Sequence, residues 1–157
     1  MSTTLTKPKA RKSSGSKLVE IYVHGPAGKA AAQSLKSSKI ISRIQDGLPV
    51  DELNALQASL ALPMETLATK LGISKATLHR RKAEGRLDPA ESDRVVRFAR
   101  LMGQAVKVFG SEAAAREWLN TPQFGLGGAV PLDYAETEVG AREVENLLGR
   151  IEYGVYS

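Results

Sequence analysis

The sequence predicts an all-α protein organised around a helix-turn-helix, and three observations carry that prediction. From residue 39 onward, apolar residues recur mostly at helical spacing. Glycine, proline and capping residues fall where helices start and stop. Aromatic residues make up only 5% of a chain that is 42% apolar, so aliphatic helix packing must build the core. A length of 157 residues suits one domain, or two small ones sharing a core.

Met1 to Ser16 is Thr, Ser, Lys and Pro with almost no apolar content. It cannot bury enough surface to offset its ordering entropy, so residues 1–17 are expected to be a disordered basic tail. Such a tail either touches DNA backbone or only aids solubility. Leu18 to His24 (LVEIYVH) alternates well enough for a short strand, yet equally begins a helix. Gly25-Pro26-Ala27-Gly28 ends it, and alanine-rich Lys29–Leu35 favours helix. A lone strand has nothing to pair with inside the chain, so residues 18–36 offer part of an interface between two copies.

Lys39 to Asp46 reads as a helix with Ile40, Ile41 and Ile44 on one side, stopped by Gly47. Asp51 to Leu60 follows Pro49, and Val50, Leu53, Leu56 and Leu60 form its apolar stripe. Next comes the stretch from Pro63 to Arg86. Leu67, Ala68 and Leu71 mark one helix, Gly72 breaks the period, and Ile73 is a buried-type residue in the turn. Ser74 caps a second helix. Ala76 and Leu78 are expected inward; Lys75, Thr77, His79, Arg80, Arg81 and Lys82 are expected largely outward. Two short helices, a tight glycine turn and a basic exposed face describe a helix-turn-helix. The second helix is narrow enough for a major groove. Lys75, Thr77 and His79 are then the candidates for base contact, and Arg80, Arg81, Lys82 and Arg86 for phosphate contact.

Asp88 is a good N-cap and Pro89 suits the first helical position. The helix from Ala90 to Phe109 is the longest, with Val95, Phe98, Ala99, Leu101, Met102, Ala105, Val106 and Phe109 on a broad buried face. Arg94, Arg97 and Arg100 read as a solvated face with ion pairs. Gly110 stops this helix and Ser111 caps the next, Glu112 to Leu119, where Trp118 and Leu119 are core positions. Phe124 to Pro131 is a glycine-rich turn without the spacing or lysine of a phosphate-binding loop, so Gly125, Gly127 and Gly128 read as backbone punctuation. Pro131 to Ala135 makes one helical turn. Thr137 caps a final helix bearing Val139, Ala141, Val144, Leu147, Leu148 and Ile151, with Glu138, Glu143 and Glu145 on its other side.

Charge is unevenly placed. Residues 1–40 hold eight Lys/Arg and one acid; residues 41–100 hold ten and eight; residues 101–157 hold four and eight. A basic front and an acidic end suggest two surfaces with two kinds of partner. There is no cysteine, which excludes disulfides, thiolate metal sites and cysteine nucleophiles and is compatible with a reducing cytosol. No apolar run approaches the ~20 residues of a membrane span, and no apolar h-region follows the basic start. The two histidines, His24 and His79, are far apart and no metal-ligand cluster or nucleophile motif is visible. The expectation is a cytoplasmic, non-catalytic protein with no cofactor and no metal. The chain closes on Glu152-Tyr153-Gly154-Val155-Tyr156-Ser157, where tyrosines bring contact area with a polar tip at low entropy cost.

The segment from Ser92 onward resembles the toxin-binding domain of Xre/MbcA/ParS-type antitoxins, and the helix-turn-helix is similar to the Xre type. Leu87 with Ser92-Asp93-Arg94, Val108-Phe109-Gly110, Trp118-Leu119-Asn120, Leu126-Gly127-Gly128, Pro131-Leu132 and Thr137-Glu138 carry it. So do Gly140-Ala141-Arg142, Val144-Glu145 and the run from Leu148 to Tyr156. The resemblance covers residues 39–157. It implies an Xre/Cro-like helix-turn-helix followed by a small helical toxin-binding domain; the expected domains are a helix-turn-helix region over residues 18–88 and the toxin-binding domain over residues 89–157, with a soft boundary at the long helix.

Such antitoxins neutralise a toxin carrying a RES domain, whose activity consumes NAD⁺, and repress their own operon. The resemblance therefore implies two partners, a RES-domain toxin and operator DNA. The residues expected at the toxin are Arg150, Glu152, Tyr153, Gly154, Val155, Tyr156 and Ser157, with the terminus and Glu152 meeting basic groups at the mouth of its NAD⁺ site. Operators are usually inverted repeats, so a homodimer and a hetero-oligomer with toxin are expected. The alternative is a stand-alone Xre-type regulator whose C-terminal half dimerises or senses a ligand.

Overall fold

The computed structural model describes residues 17–24 and 36–154. All but Lys17 of the tail expected over residues 1–17, the helix expected over Lys29–Leu35 and the terminal Val155, Tyr156 and Ser157 lie outside the described residues. Among the described residues the chain is all-α. Its helices are α1 (Leu18–Val23), α2 (Ser37–Asp46), α3 (Val50–Leu60), α4 (Met64–Lys70) and α5 (Lys75–Glu84). They continue as α6 (Pro89–Phe109), α7 (Glu112–Leu119), α8 (Pro131–Tyr134) and α9 (Glu138–Glu152), with a 3-10 turn over Phe124–Leu126.

α6 is the beam on which the other elements rest. Asp88 accepts from the Glu91 amide at 2.7 Å, and the Glu91 carboxylate accepts from the Asp88 amide at 3.0 Å. This capping box, with Pro89 in the first turn, satisfies amides that would otherwise be unpaired. Val95, Phe98, Ala99, Leu101, Met102 and Ala105 are buried as the periodicity predicts, and Val106 and Phe109 are half-buried. α1, α2 and α3 pack on α6 from one half of the chain, α7 and α9 from the other.

Residues 18–23 are helix α1, not a strand, and they are not a free surface for a second copy. Leu18, Val19, Ile21 and Val23 are all buried against α6 and α3. Burial nearly all round removes the 3.6-residue signal, which is why the segment reads as ambiguous. Its start is satisfied from far away. Glu52 on α3, only 1% exposed, accepts from the Leu18 amide at 2.7 Å and the Val19 amide at 3.0 Å. Arg43 of α2 donates to the same carboxylate at 3.3 Å. Burial raises the Glu52 pKa above the ordinary glutamate value, and the two amides, Arg43 and Lys17 oppose that rise. The far end of α1 crosses α6 at Gly103, where a Cβ would overlap the Tyr22 carbonyl oxygen.

Two further expectations are corrected. Ile40 and Ile44 pack on the core, but Ile41 is 52% exposed. Positions 40 and 44 lie about 40° apart on the packed face, and position 41, about 100° round from position 40, falls past its edge. Val139, at the start of α9, is also exposed, while Ala141, Val144, Leu147 and Leu148 are buried as expected.

Long-range polar contacts brace the fold, both within residues 18–88 and across to residues 89–157. Leu87 donates its amide to the Leu48 carbonyl at 2.8 Å and Val50 donates to the Gly85 carbonyl at 3.0 Å. The fully buried Ser92 hydroxyl accepts from the Leu48 amide at 2.8 Å and donates to the Asp88 carbonyl at 2.7 Å. Arg116 of α7 donates to the Ser59 carbonyl at the end of α3 at 3.1 Å. Lys70 of α4 pairs with Asp133 of α8. Trp118 is half-buried on Phe109, ring centroids 5.4 Å apart.

Candidate functional site

The helix-turn-helix is built as its sequence requires. α4 and α5 meet over Leu67, Ala68, Leu71, Ile73 and Leu78, all buried. Gly72 takes φ +72°, a conformation costly for any residue with a Cβ, and this lets the Ile73 amide reach back to the Ala68 carbonyl at 2.8 Å. Ser74 caps α5 by accepting from the Thr77 amide at 3.1 Å. Arg94 of α6 donates to the Leu71 carbonyl at 3.1 Å, which seats the unit on the core.

The structure separates the seven residues expected at DNA by what their side chains already hold. Lys75, His79, Arg80 and Lys82 are exposed on α5. Thr77 is half-buried, its hydroxyl 3.0 Å from that of Ser74, so part of its polar capacity serves the cap. Arg86 is exposed, but its guanidinium donates to the Gly47 carbonyl. Arg81 is turned from the exposed face and its side chain is 15% exposed. It reaches Glu91 at 2.7 Å, Asp88 at 3.2 Å and Glu84 at 3.3 Å. The hydrogen bond to Glu91 holds its pKa above the usual guanidinium value. The same two side chains that cap α6 therefore also clamp α5.

Ala76 is exposed rather than inward. It lies about 200° around the helix from Leu78, so the two cannot share a buried face. Ala76 and Ala83 sit among the exposed cations and keep this face low, and alanine is a residue that can meet a thymine methyl.

A second surface forms on the outward side of α9. Thr137 caps this helix, accepting from the Gly140 amide at 3.0 Å. Arg100 reaches Glu145 at 3.1 Å, Gln104 donates to the Glu145 carbonyl at 3.2 Å, and Arg97 lies 3.5 Å from Glu138. These contacts hold α9 on α6. On the outward side an open cleft of about 440 Å³ is lined by Glu145, Asn146, Gly149, Arg150 and Tyr153. Tyr153 is 80% exposed. Of the residues expected at a toxin, Arg150 and Tyr153 line this cleft. Glu152 lies 3.5 Å from Lys107 in an exposed pair, and Gly154 follows with φ +72°. Exposed pairs of that kind are worth ~0–1 kcal/mol, so Glu152 exchanges partners at little cost. Sequence reasoning missed Glu145, Asn146 and Gly149 as lining residues. Their spacing of one and four along the same helix was the available signal.

Among the described residues, no group of three or more metal-ligating side chains occurs, and no helix is long and apolar enough to cross a membrane.

Comparison with known proteins gives a family match for each part of the chain. Residues 39–100 match the model of the antitoxin Xre-like helix-turn-helix domain, and residues 104–154 match that of the antitoxin Xre/MbcA/ParS C-terminal toxin-binding domain. The chain is similar to antitoxin Xre of Yersinia enterocolitica, with 37% identity over 78% of this chain and 84% of the relative. Antitoxin Xre of Photorhabdus laumondii is 35% identical over 73% of this chain and 78% of its own. A Sphingobium protein described as a Prs ADP-ribosylating antitoxin is 26% identical over 74% and 80%. With its helix-turn-helix and toxin-binding domain in this order, the chain belongs to the Xre/MbcA/ParS family of antitoxins.

Proposed function

We propose that this antitoxin neutralises a RES-domain toxin that consumes NAD⁺, laying the outward face of α9 and residues 150–157 over the mouth of the toxin's active site. In the same reading it represses its own operon by placing α5 in the major groove of operator DNA, as a dimer on an inverted repeat, in the cytoplasm. Residues 18–88 serve DNA and residues 89–157 serve the toxin, with α6 common to both. The observation that supports this most is the separation of the two surfaces. α5 exposes Lys75, His79, Arg80 and Lys82, while residues 101–157 carry eight acids against four Lys/Arg and hold the cleft with the exposed Tyr153. A site that binds a dinucleotide phosphate is cationic, and an acidic surface complements it. Arg81 is assigned a positioning role here, since three carboxylates already hold its guanidinium.

Truncation tests the toxin half. Removing residues 154–157 is expected to leave measurable NAD⁺ consumption at saturating antitoxin, with operator affinity unchanged. Complete inhibition by the truncated chain would discard the plug in favour of surface docking. Salt titration of operator binding tests the DNA half. Lys75→Ala is expected to weaken operator binding by about 1–3 kcal/mol through a lost base contact. Arg80→Ala is expected to reduce the slope of log affinity against log salt by about 1. If both variants bind as the wild type does at low and high salt, α5 is not the DNA-reading element.

A further inference from the structure

We propose that Phe124 is a second, independent anchor for the toxin, holding it beside the α9 cleft while residues beyond α9 do the blocking. This rests on the toxin reading above and adds a site outside the residues that reading uses. Phe124 is 92% exposed, the most exposed large apolar side chain among the described residues. It does not sit on a loose loop. The Gln123 amide donates to the Ala129 carbonyl at 3.0 Å, the Gly128 amide to the Gln123 carbonyl at 2.9 Å, and the Gly127 amide to the Phe124 carbonyl at 2.9 Å. The Gln123 side chain donates to the Trp118 and Thr121 carbonyls at 3.1 and 3.0 Å. Leu126 is buried beneath, and a Cβ on Gly125 would come within 2.8 Å of Leu147 on α9. The backbone around Phe124 is thus fixed on both sides while its ring is left in water. A rigid aromatic loses little freedom on binding, which is the property of an interface anchor.

Its position and surroundings choose the occupant. Leu147 lies on the flank of α9 that leads, within one turn, to Asn146 and Arg150 of the cleft. The turn that bears Phe124 therefore packs on one flank of α9 through Gly125 and Leu147, and α6 packs on the other through Arg100 and Glu145, with the cleft between the two flanks. Phe124 lies in the acidic third of the chain, where eight acids stand against four Lys/Arg and Glu117 and Glu143 are exposed. Nucleic acid is repelled there, and so is a second copy presenting the same acids. The partner that fits is a protein with an apolar pocket inside a basic rim, on the same toxin molecule that faces the cleft.

The test uses the full-length chain and a purified RES-domain protein. Dissociation constants are measured by calorimetry for wild type, Phe124→Ala, Phe124→Asp and the chain lacking residues 154–157, with NAD⁺ consumption at saturating antitoxin and thermal melts. Phe124→Ala is expected to weaken binding about 30-fold, the scale of a hot-spot residue, and Phe124→Asp more. Both variants should keep the wild-type melting temperature and still inhibit fully at saturation. The truncated chain should show the converse, incomplete inhibition with a smaller loss of affinity. Wild-type affinity in both Phe124 variants overturns this inference alone, leaving the toxin reading intact. So does a Phe124→Ala chain that loses self-association or operator binding but not toxin. Failure of the wild type to bind the RES-domain protein overturns both.

Discussion

Gly140→Ala is expected to lower the melting temperature by roughly 4–8 °C, while Gly149→Ala, on the same helix, is expected to raise it by about 2–3 °C. The two glycines carry one sequence signal and opposite surroundings. At Gly140 in the first turn of α9, a Cβ would overlap the Tyr134 carbonyl oxygen at the end of α8, with the Thr137 hydroxyl also 3.0 Å away. The obstacle is backbone, held by the bond from the Ala135 amide to the Pro131 carbonyl at 2.9 Å, so it cannot swing aside like a side chain. Overlap with backbone that cannot move sits at the ~3 kcal/mol end of overpacking, and the ~1 kcal/mol that alanine gains over glycine in a helix offsets part of it, for a net cost of about 2 kcal/mol. At Gly149 nothing lies within 4 Å of a new Cβ, so only the propensity gain remains. The consequence for binding differs as well. Gly140→Ala displaces α8 and with it the Asp133 partner of Lys70 on α4, so it strains the joint between the toxin and DNA halves. Gly149→Ala puts a methyl group into the cleft and should weaken toxin binding despite the added stability. Equal melting shifts of one sign in both variants would contradict the close approach at Gly140.

Local chemistry was legible in the sequence. Ser74, Asp88, Ser111 and Thr137 each cap the helix that their position predicts, and each acts on an amide three residues ahead. A cap is written in one residue and its immediate neighbours, so no tertiary knowledge is needed to read it. The recognition unit was legible for the same reason. Its small residue, glycine turn and buried Ile73 all lie within one short stretch.

What escaped was set by residues distant in sequence. α1 is helical because Glu52, more than thirty positions later, supplies the acceptors for its first amides. Nothing in LVEIYVH announces that partner. Arg81 belongs to a basic run that reads as one face, yet it is claimed by Glu91 and Asp88 on the next helix. Composition cannot distinguish a cation left for DNA from one already paired. The error at Ala76 was different in kind. The helical period alone separates it from Leu78, and the exposed alanine lies on the candidate DNA face as a consequence.

Glu52→Ala is expected to cost about 3–4 kcal/mol, a large share of the ~5–15 kcal/mol that holds a domain folded. The substitution leaves the Leu18 and Val19 amides buried without acceptors, and each unsatisfied buried donor costs ~1–3 kcal/mol. Arg43 loses its carboxylate as well, but being partly exposed it turns to solvent and adds little. α1 then has no reason to remain seated. Its release uncovers the face of α6 at Gly103, the helix on which the DNA and toxin halves both rest, so both activities should decline together. Urea titration should show a lower midpoint, and hydrogen exchange should quicken at Ile21 and His24, whose amides pair only while α1 is formed. Glu52→Gln separates charge from geometry, since its carbonyl still accepts from one amide. Burial raises the Glu52 pKa in the folded chain, so the folded state binds the proton more readily than the unfolded one. That contribution to stability is complete below the ordinary glutamate pKa and is lost as pH rises through the raised one. The stability of wild type relative to Glu52→Gln should therefore be highest in acid and fall as pH rises through this window. A wild type that gains on Glu52→Gln as pH rises would mean that Arg43 and the two amides together outweigh the cost of burying the charge.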